Sequence, residues 1–180
     1  MALNGVAMRY VVPGAIAFLL AVSSAHPSTP LHPPAISPVH RKATSFAYRS
    51  LDGKTHQLSE LKGKVVVIDF WGTWCAGCVE EMPTLQRLYD RFKTDPQVAF
   101  VVVSQNDSPE KVKAFVSKNH LTMPIYYVGS EPVPPSLSPS AWPATYFISA
   151  DGTVRGEYFG GADWSDESAV RYVERLKNGE

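Results

Sequence analysis

Residues 65–83 of the chain read VVVIDFWGTWCAGCVEEMP. The stretch opens with the run Val65–Phe70, which is apolar and rich in β-branched residues, as is typical of a strand buried on both faces. A short turn at Gly72 and Thr73 follows and leads to a pair of cysteines. Beyond the cysteines, apolar residues recur at spacings of three and four, which predicts a helix: Val79, Met82, Leu85, Leu88 and Phe92.

The two cysteines, Cys75 and Cys78, are therefore predicted to lie where a buried strand gives way to the N-terminus of a helix. Free backbone N–H groups and the helix dipole stabilise negative charge at that position. A thiol there loses its proton more readily than a free cysteine, and the thiolate is the form that attacks disulfides. The arrangement therefore indicates thiol redox chemistry.

Two longer stretches resemble a known family. The run DFWGTWCAGC resembles the active-site segment of the thioredoxin superfamily. WCAGCVEEMPTL, followed much later by AWPATYFISADGTVRGEYFGG, is similar to the exported TlpA/ResA-type thiol-disulfide oxidoreductases. The resemblance extends from about Ser45 to Lys177 and is supported by the strand-turn-helix setting, because a lone C-x-x-C is a weak signal.

The order of the predicted elements agrees with that resemblance. Strands alternate with helices, and a hairpin through Asp151-Gly152 and a last helix follow, which predicts an α/β fold. We expect a thioredoxin-like sandwich with a central mixed β-sheet and helices on both faces. Ser45–Tyr48 is predicted as an edge strand, residues 129–141 as a loop, and Asp163 or Ser165 as the cap of the last helix.

Composition limits the class of protein. The 180 residues support one globular domain and an additional segment, and the formal net charge of zero gives no basic surface for nucleic acid. The chain has two cysteines, so an internal disulfide has to join Cys75 to Cys78. We expect this redox-active disulfide to be the reactive group, with no other cofactor and no metal.

Three regions are predicted along the chain. Residues 1–25 contain Arg9, an apolar stretch and small residues before a plausible cleavage site, as in a signal peptide; an uncleaved membrane anchor is the alternative. Residues 26–43 form a Pro- and His-rich linker, which we interpret as a spacer and not as a metal site. Residues 44–180 are the predicted thioredoxin-like domain.

The catalytic roles follow from position and from the resemblance. Cys75 is the candidate nucleophile that forms a mixed disulfide with the substrate, and Cys78 resolves that intermediate. A zinc site is the alternative for a C-x-x-C pair, but His56 and His120 lack the paired spacing that would complete it.

Two acidic residues are candidates for proton handling. Asp69 lies among apolar residues in the predicted buried strand, where burial should raise its pKa and make it a proton acceptor for Cys78. By resemblance it matches the buried carboxylate of the superfamily; the alternative is an acid that faces a partner at the strand end. Glu81 matches a glutamate near the disulfide in cytochrome-maturation relatives, and a solvated helix residue is its alternative.

Substrate contacts are predicted around a distant proline. Pro143 resembles the cis-proline that faces the disulfide in the superfamily, and a trans proline at a strand start is the alternative. The backbone of its neighbours Trp142 and Ala144 would then pair with an extended substrate. Trp74 would flank Cys75 as an exposed aromatic surface, whereas Trp71 should pack inside the domain.

Two features depart from the family pattern. Ala76 and Gly77 separate the cysteines, where relatives usually have a proline before the second cysteine, so the direction of electron transfer stays open. Trp142 is bulkier than the usual residue before the proline and should reshape the substrate groove.

We expect an exported, periplasmic or membrane-tethered monomer that reduces protein disulfides, including those of apocytochrome c, and receives electrons from a membrane thiol-transfer protein. The alternatives are a dithiol oxidase or isomerase and a non-catalytic binding module. A peroxide-reducing enzyme is disfavoured because no P-x-x-x-[ST]-x-x-C pattern ends at Cys75.

Overall fold

The computed structural model describes Met1, residues 30–129 and residues 132–180. Eight strands lie in this part of the chain: β1 (Ser37–Lys42), β2 (Ala47–Ser50), β3 (Thr55–Gln57), β4 (Val65–Trp71), β5 (Val98–Gln105), β6 (Ile125–Val128), β7 (Ala144–Ile148) and β8 (Thr153–Phe159). They form one sheet in the order β1-β8-β7-β4-β5-β6-β2-β3. The central strand β4 is parallel to β5 and antiparallel to β7, so the sheet is mixed.

Three α-helices and two short 3₁₀ helices connect these strands: α1 (Ala76–Phe92), α2 (Pro109–Lys118), α3 (Glu167–Lys177) and the 3₁₀ helices Leu58–Leu61 and Pro135–Leu137. The helix α1 begins directly after β4, as the sequence predicts. The second 3₁₀ helix is the regular element within the described part of the predicted loop 129–141.

The two faces of the sheet are packed by different residues. Every residue of β4 is buried, and its side chains alternate between the faces, as the period of a strand requires. Val67 and Trp71 pack with the buried sides of the three α-helices. Val66, Ile68 and Phe70 pack with Leu58 and Leu137 of the two 3₁₀ helices. The predicted fold class is confirmed, and 3₁₀ helices supply the helical cover on the second face.

The end of the chain differs from the prediction in one detail. Asp166, and neither Asp163 nor Ser165, caps α3, because the Asp166 carboxylate accepts a hydrogen bond from the Ser168 N–H. The carboxylate of Asp163 instead accepts a hydrogen bond from the Ser165 N–H, which closes a turn just before α3. Several adjacent capping residues compete here, and the sequence alone does not rank them.

The predicted edge strand is not at an edge. Strand β2 pairs with β6 on one side and with β3 on the other, so the short strand β3 is the outermost strand at that end of the sheet. A three-residue strand presents few free backbone groups, which limits unwanted pairing with other chains.

The prediction of a linker over residues 26–43 is wrong for its described part. Strand β1 pairs antiparallel with β8, and Arg41 makes an ion pair with Glu157 at 2.6 Å. Upstream of β1, the His32 carbonyl accepts a hydrogen bond from the Asp163 N–H at 2.8 Å. A proline-rich composition favours extended backbone, and an extended segment can pair with an open sheet edge. The folded domain therefore includes the chain from about residue 30, not from residue 44.

The predicted signal peptide or anchor at residues 1–25 lies outside the described residues, apart from Met1. Within the described residues, none of the helices is both long enough and apolar enough to cross a membrane.

Candidate active site

The two cysteines lie at the C-terminal end of β4 and are joined by a disulfide, with their Cα atoms 5.2 Å apart. Cys75 is the N-cap of α1, and its Sγ accepts a hydrogen bond from the Cys78 N–H at 3.2 Å. Cys75 is 8% exposed and Cys78 is completely buried. Of the two sulfurs, Cys75 Sγ is thus the one that solvent and a partner can reach, and it lies against the positive end of the helix.

The turn before Cys75 is held by a buried aspartate that sequence reasoning missed. The Asp107 carboxylate accepts hydrogen bonds from the Thr73 N–H and the Thr73 hydroxyl, both at 2.7 Å. The Ser104 hydroxyl donates a third hydrogen bond at 2.8 Å. A Cβ on Gly72 would overlap the Trp74 indole, so a larger residue at this position would displace that ring.

Trp74, the residue before Cys75 in the chain, has a second tryptophan, Trp142, as its neighbour. Trp74 is 51% exposed, and its ring meets that of the half-buried Trp142 edge-on, with the ring centroids 5.3 Å apart. The Trp74 indole N–H donates to the Gln105 carbonyl at 3.1 Å, which fixes the orientation of the ring. The exposed aromatic surface beside Cys75 is therefore held in place and available to a partner.

The peptide bond between Trp142 and Pro143 is cis. Pro143 Cδ lies 3.8 Å from the place that a Cβ on Gly77 would take, so the proline faces the turn between the cysteines. Ala144 lies elsewhere: its side chain is fully buried as the first residue of β7, between β4 and β8. The structure thus brings Trp74 and Trp142 together at the surface, while the buried Pro143 lies against the turn between the cysteines and Ala144 lies in the core.

Asp69 and Glu81 lie together in the interior, and both are fully buried. The Thr145 hydroxyl donates to Asp69 Oδ2 at 2.8 Å. Burial raises the pKa of Asp69 to about 7, against the lowering effect of hydrogen bonds from Thr145 and Glu81. Burial, and next the nearby charge of Asp69, also raise the pKa of Glu81 well above its usual range. Glu81 is therefore not a solvated helix residue.

Glu81 has partners that sequence reasoning did not find. Its Oε2 accepts hydrogen bonds from the Ala162 N–H at 3.0 Å and from the Trp164 indole N–H at 2.9 Å. These donors lie more than 80 positions away along the chain. No local motif around Trp164 indicates the contact, so the sequence held no signal for it.

A metal centre finds no support in the described part of the chain, where no group of three or more His, Cys, Asp or Glu could hold an ion. The C-x-x-C pair forms a disulfide there instead.

Comparison with known proteins agrees with this geometry. A model of the AhpC/TSA family matches residues 39–157. The thiol-disulfide oxidoreductase ResA of Bacillus anthracis is 30% identical over 138 residues, which cover 77% of this chain and 78% of that protein. The ResA protein of Geobacillus kaustophilus is 31% identical over 135 residues, covering 75% and 76% of the two chains.

A solved structure supports the fold. A thiol:disulfide interchange protein of the thioredoxin family from Chlorobium tepidum superposes with a TM-score of 0.65 at 23% identity, over 78% of this chain and 98% of that one. The chain belongs to the AhpC/TSA family and is a thioredoxin-like thiol-disulfide oxidoreductase of the ResA type.

Proposed function

We propose that this protein reduces disulfide bonds of other exported proteins through the Cys75–Cys78 dithiol. One observation carries the proposal: Cys75 Sγ caps α1, accepts the Cys78 N–H at 3.2 Å and is bonded to the sulfur of Cys78. The helix N-terminus stabilises the Cys75 thiolate, and Cys78 is close enough to close the ring.

Reduction proceeds in two displacements. The Cys75 thiolate attacks one sulfur of the substrate disulfide, and the other substrate sulfur leaves as a thiolate. Cys78 then gives its proton to Asp69 and attacks Cys75 Sγ. This step releases the second substrate thiolate and leaves Cys75 bonded to Cys78. Two electrons pass from the dithiol to the substrate, and the released thiolates take protons from water.

The surface around the disulfide selects the substrate. Trp74 and Trp142 form an apolar wall beside Cys75, and the cis proline, Pro143, faces the turn between the cysteines. An extended peptide can lie between these groups and pair with backbone at Trp142. The bulk of Trp142 favours substrates with a small residue where it meets the chain. The side chain of Ala144 is buried, so Ala144 affects substrate binding only by fixing the position of β7.

Export and the electron donor complete the proposal. Arg9, the apolar stretch after it and the small residues before residue 26 support export to the periplasm, or a tether on the outer face of the membrane. Both cysteines are used in the disulfide, so re-reduction needs electrons from another protein, for which a membrane thiol-transfer protein is suited. The resemblance to cytochrome-maturation relatives supports apocytochrome c as one substrate, and the protein acts as a monomer.

Replacement of the resolving cysteine tests the proposal. In Cys78→Ser, the mixed disulfide at Cys75 cannot be resolved and should accumulate in the exported fraction, where non-reducing electrophoresis and mass spectrometry detect it. Cys75→Ser is the matched control and should trap nothing. If Cys78→Ser captures no exported protein through Cys75, the proposed substrate class is wrong.

The direction of electron transfer is tested separately. The reduction potential of the pair, measured by equilibration with glutathione, should lie nearer to the reducing value of thioredoxin, about −270 mV, than to the oxidising value of DsbA, about −120 mV. A value near that of DsbA would favour the oxidase alternative.

A further inference from the structure

A cavity of about 210 Å³ lies on the sheet face that the 3₁₀ helices cover, beside the helix Leu58–Leu61. Its lining includes Val66, the second residue of β4, and Ile148, the last residue of β7. The disulfide follows the other end of β4, and a strand of seven residues spans about 20 Å. The cavity is therefore separate from the active site.

Backbone hydrogen bonds hold the walls of this cavity in place. The Ala43 N–H donates to the Gly152 carbonyl, and the Gly63 N–H donates to the Ala150 carbonyl, both at 3.0 Å. The hairpin turn between β7 and β8 is thus joined to the segment after β1 and also to the turn after the 3₁₀ helix. Because three segments are fixed to one another by their backbones, the cavity is formed before a ligand enters, and little ordering opposes binding.

The lining of the cavity is mainly apolar. Leu58, Val66 and Ile148 line it and are buried, and the half-buried Ala43 and Leu61 lie beside them. The volume is below the roughly 300–1,000 Å³ of sites for drug-sized ligands, so the space suits a smaller ligand. A hydrocarbon chain that enters this space leaves water, and its burial favours binding.

Three lysines line the same cavity: Lys42, Lys62 and Lys64. The Nζ of Lys42 is engaged, because it donates to the Asp151 carbonyl at 3.1 Å and to the Thr153 hydroxyl at 2.9 Å. Among the described residues, the ammonium groups of Lys62 and Lys64 have neither a hydrogen-bond partner nor an ion-pair partner. Two cations without a partner beside an apolar space favour a ligand with a negative charge.

The acid that lines the cavity does not supply that charge. The carboxylate of Asp151 accepts hydrogen bonds from the Ser149 hydroxyl at 2.6 Å and from the Thr153 N–H at 3.0 Å, inside the hairpin turn. Lys42 lies 3.5 Å from this carboxylate and Arg155 lies 3.8 Å from it. The charge of Asp151 is therefore matched within the turn, and the charges of Lys62 and Lys64 remain for a ligand.

We propose that this cavity binds a free, single-chain carboxylate of medium length. Its hydrocarbon chain lies against Leu58, Val66 and Ile148, and its carboxylate lies beside Lys62 and Lys64. A single short chain suits the small volume better than a lipid with two long chains. The proposal goes beyond disulfide reduction and does not depend on it. A ligand bound there should also stabilise the folded protein, because the site exists only in the folded state.

Binding of octanoate to the oxidised full-length protein tests the proposal. At pH 8, titration calorimetry should show one octanoate per protein, and the amide NMR signals of Lys64, Ala150 and Gly152 should shift. Acetate lacks the hydrocarbon chain and octylammonium carries the opposite charge, so each should bind at least about ten times more weakly. If octanoate binds no more tightly than acetate or octylammonium, the proposed ligand class is wrong.

Replacement of the two lysines tests the position of the carboxylate. The double variant Lys62→Gln, Lys64→Gln should bind octanoate about tenfold more weakly, because two partly exposed charge contacts are lost. Lys118→Gln is the matched control, since Lys118 is exposed on α2, which packs on the other face of the sheet. The control should keep the wild-type affinity within about twofold. Equal affinities of the double variant and the control would overturn the role of the lysines.

Two further measurements locate the bound octanoate and identify its source. The rate at which the reduced protein attacks an aromatic disulfide should not change at saturating octanoate, because the cavity lies about 20 Å from Cys75. Inhibition that follows saturation would place the ligand beside the disulfide and contradict the proposed site. Vesicles of phosphatidylglycerol should not displace bound octanoate. Displacement would assign the cavity to a lipid surface and overturn the proposal of a free ligand.

Discussion

Buried carboxyl groups lie on two sides of the active-site turn, and they differ in the number of donors that they receive. Asp107, in front of the turn, accepts three hydrogen bonds from Thr73 and Ser104. Asp69 and Glu81, behind the disulfide, share three donors between two groups, and each has one oxygen that no N–H or hydroxyl reaches. A buried acid with enough donors can stabilise a fixed structure, whereas an acid with too few can exchange a proton.

The largest expected effect on stability follows from the removal of Asp107, whose carboxylate accepts three hydrogen bonds. Asp107→Ala leaves the Thr73 N–H and two hydroxyl groups without their acceptor at the turn that precedes Cys75. The free energy of unfolding of the oxidised protein should fall by about 3–5 kcal/mol, because unsatisfied buried donors are costly. Urea denaturation measures the change. The exposed Asp90→Ala should cost less than about 1 kcal/mol, and an equal loss in both would show that Asp107 does not hold the turn.

On the other side, removal of the charge should stabilise the protein. The pKa of Asp69 is raised from its ordinary value of 3.8 to about 7 in the folded protein. Below pH 4 the acid is neutral in both the folded and the unfolded state, so it does not lower the free energy of unfolding. As the pH rises to about 7, ionisation in the unfolded state lowers that free energy. Asp69→Asn does not titrate and should be more stable than the wild type at pH 8, by about 2–4 kcal/mol.

Urea denaturation of both proteins in the oxidised state, from pH 4 to pH 8, measures this effect. The two stability curves should converge near pH 4 and separate as the pH rises, while Asp69→Asn resolves mixed disulfides more slowly. A stability difference that does not depend on pH would contradict the raised pKa of Asp69.

The smallest expected effects come from the removal of one hydroxyl donor on each side of the active-site turn. Ser104→Ala and Thr145→Val each remove one hydroxyl group from a buried carboxylate and should each cost about 1–2 kcal/mol at pH 8. Only Thr145→Val should also raise the pH below which the attack of Cys78 on Cys75 slows, because the Thr145 hydroxyl lowers the pKa of Asp69, the proton acceptor. The same shift in Ser104→Ala would remove the distinction between the two sides.

The region around the cysteines was predictable because its signals are local. An apolar β-branched run, a glycine turn and apolar spacings of three and four are enough to specify β4, the turn and the start of α1. The cis bond at Pro143 followed from the resemblance, and the structure agrees with it. The ring contact between Trp74 and Trp142 was not predicted.

Features that depend on distant parts of the chain were not predictable. The strand β1 looked like a linker because its proline-rich composition says nothing about the open edge of β8 with which it pairs. Asp107 and Trp164 had no signal because their partners lie 34 and 83 residues away. Glu81 had two interpretations of equal weight, and only its burial decides between them.

The acidity of the Cys75 thiol tests the central claim most directly. Its titration in reduced Cys78→Ser, followed by the ultraviolet absorbance of the thiolate, isolates the sulfur that caps α1. The helix N-terminus should hold the pKa of this thiol clearly below the value of about 8.5 for a free cysteine. A pKa at or above that value would show that the helix does not activate Cys75 and would contradict the proposed nucleophile.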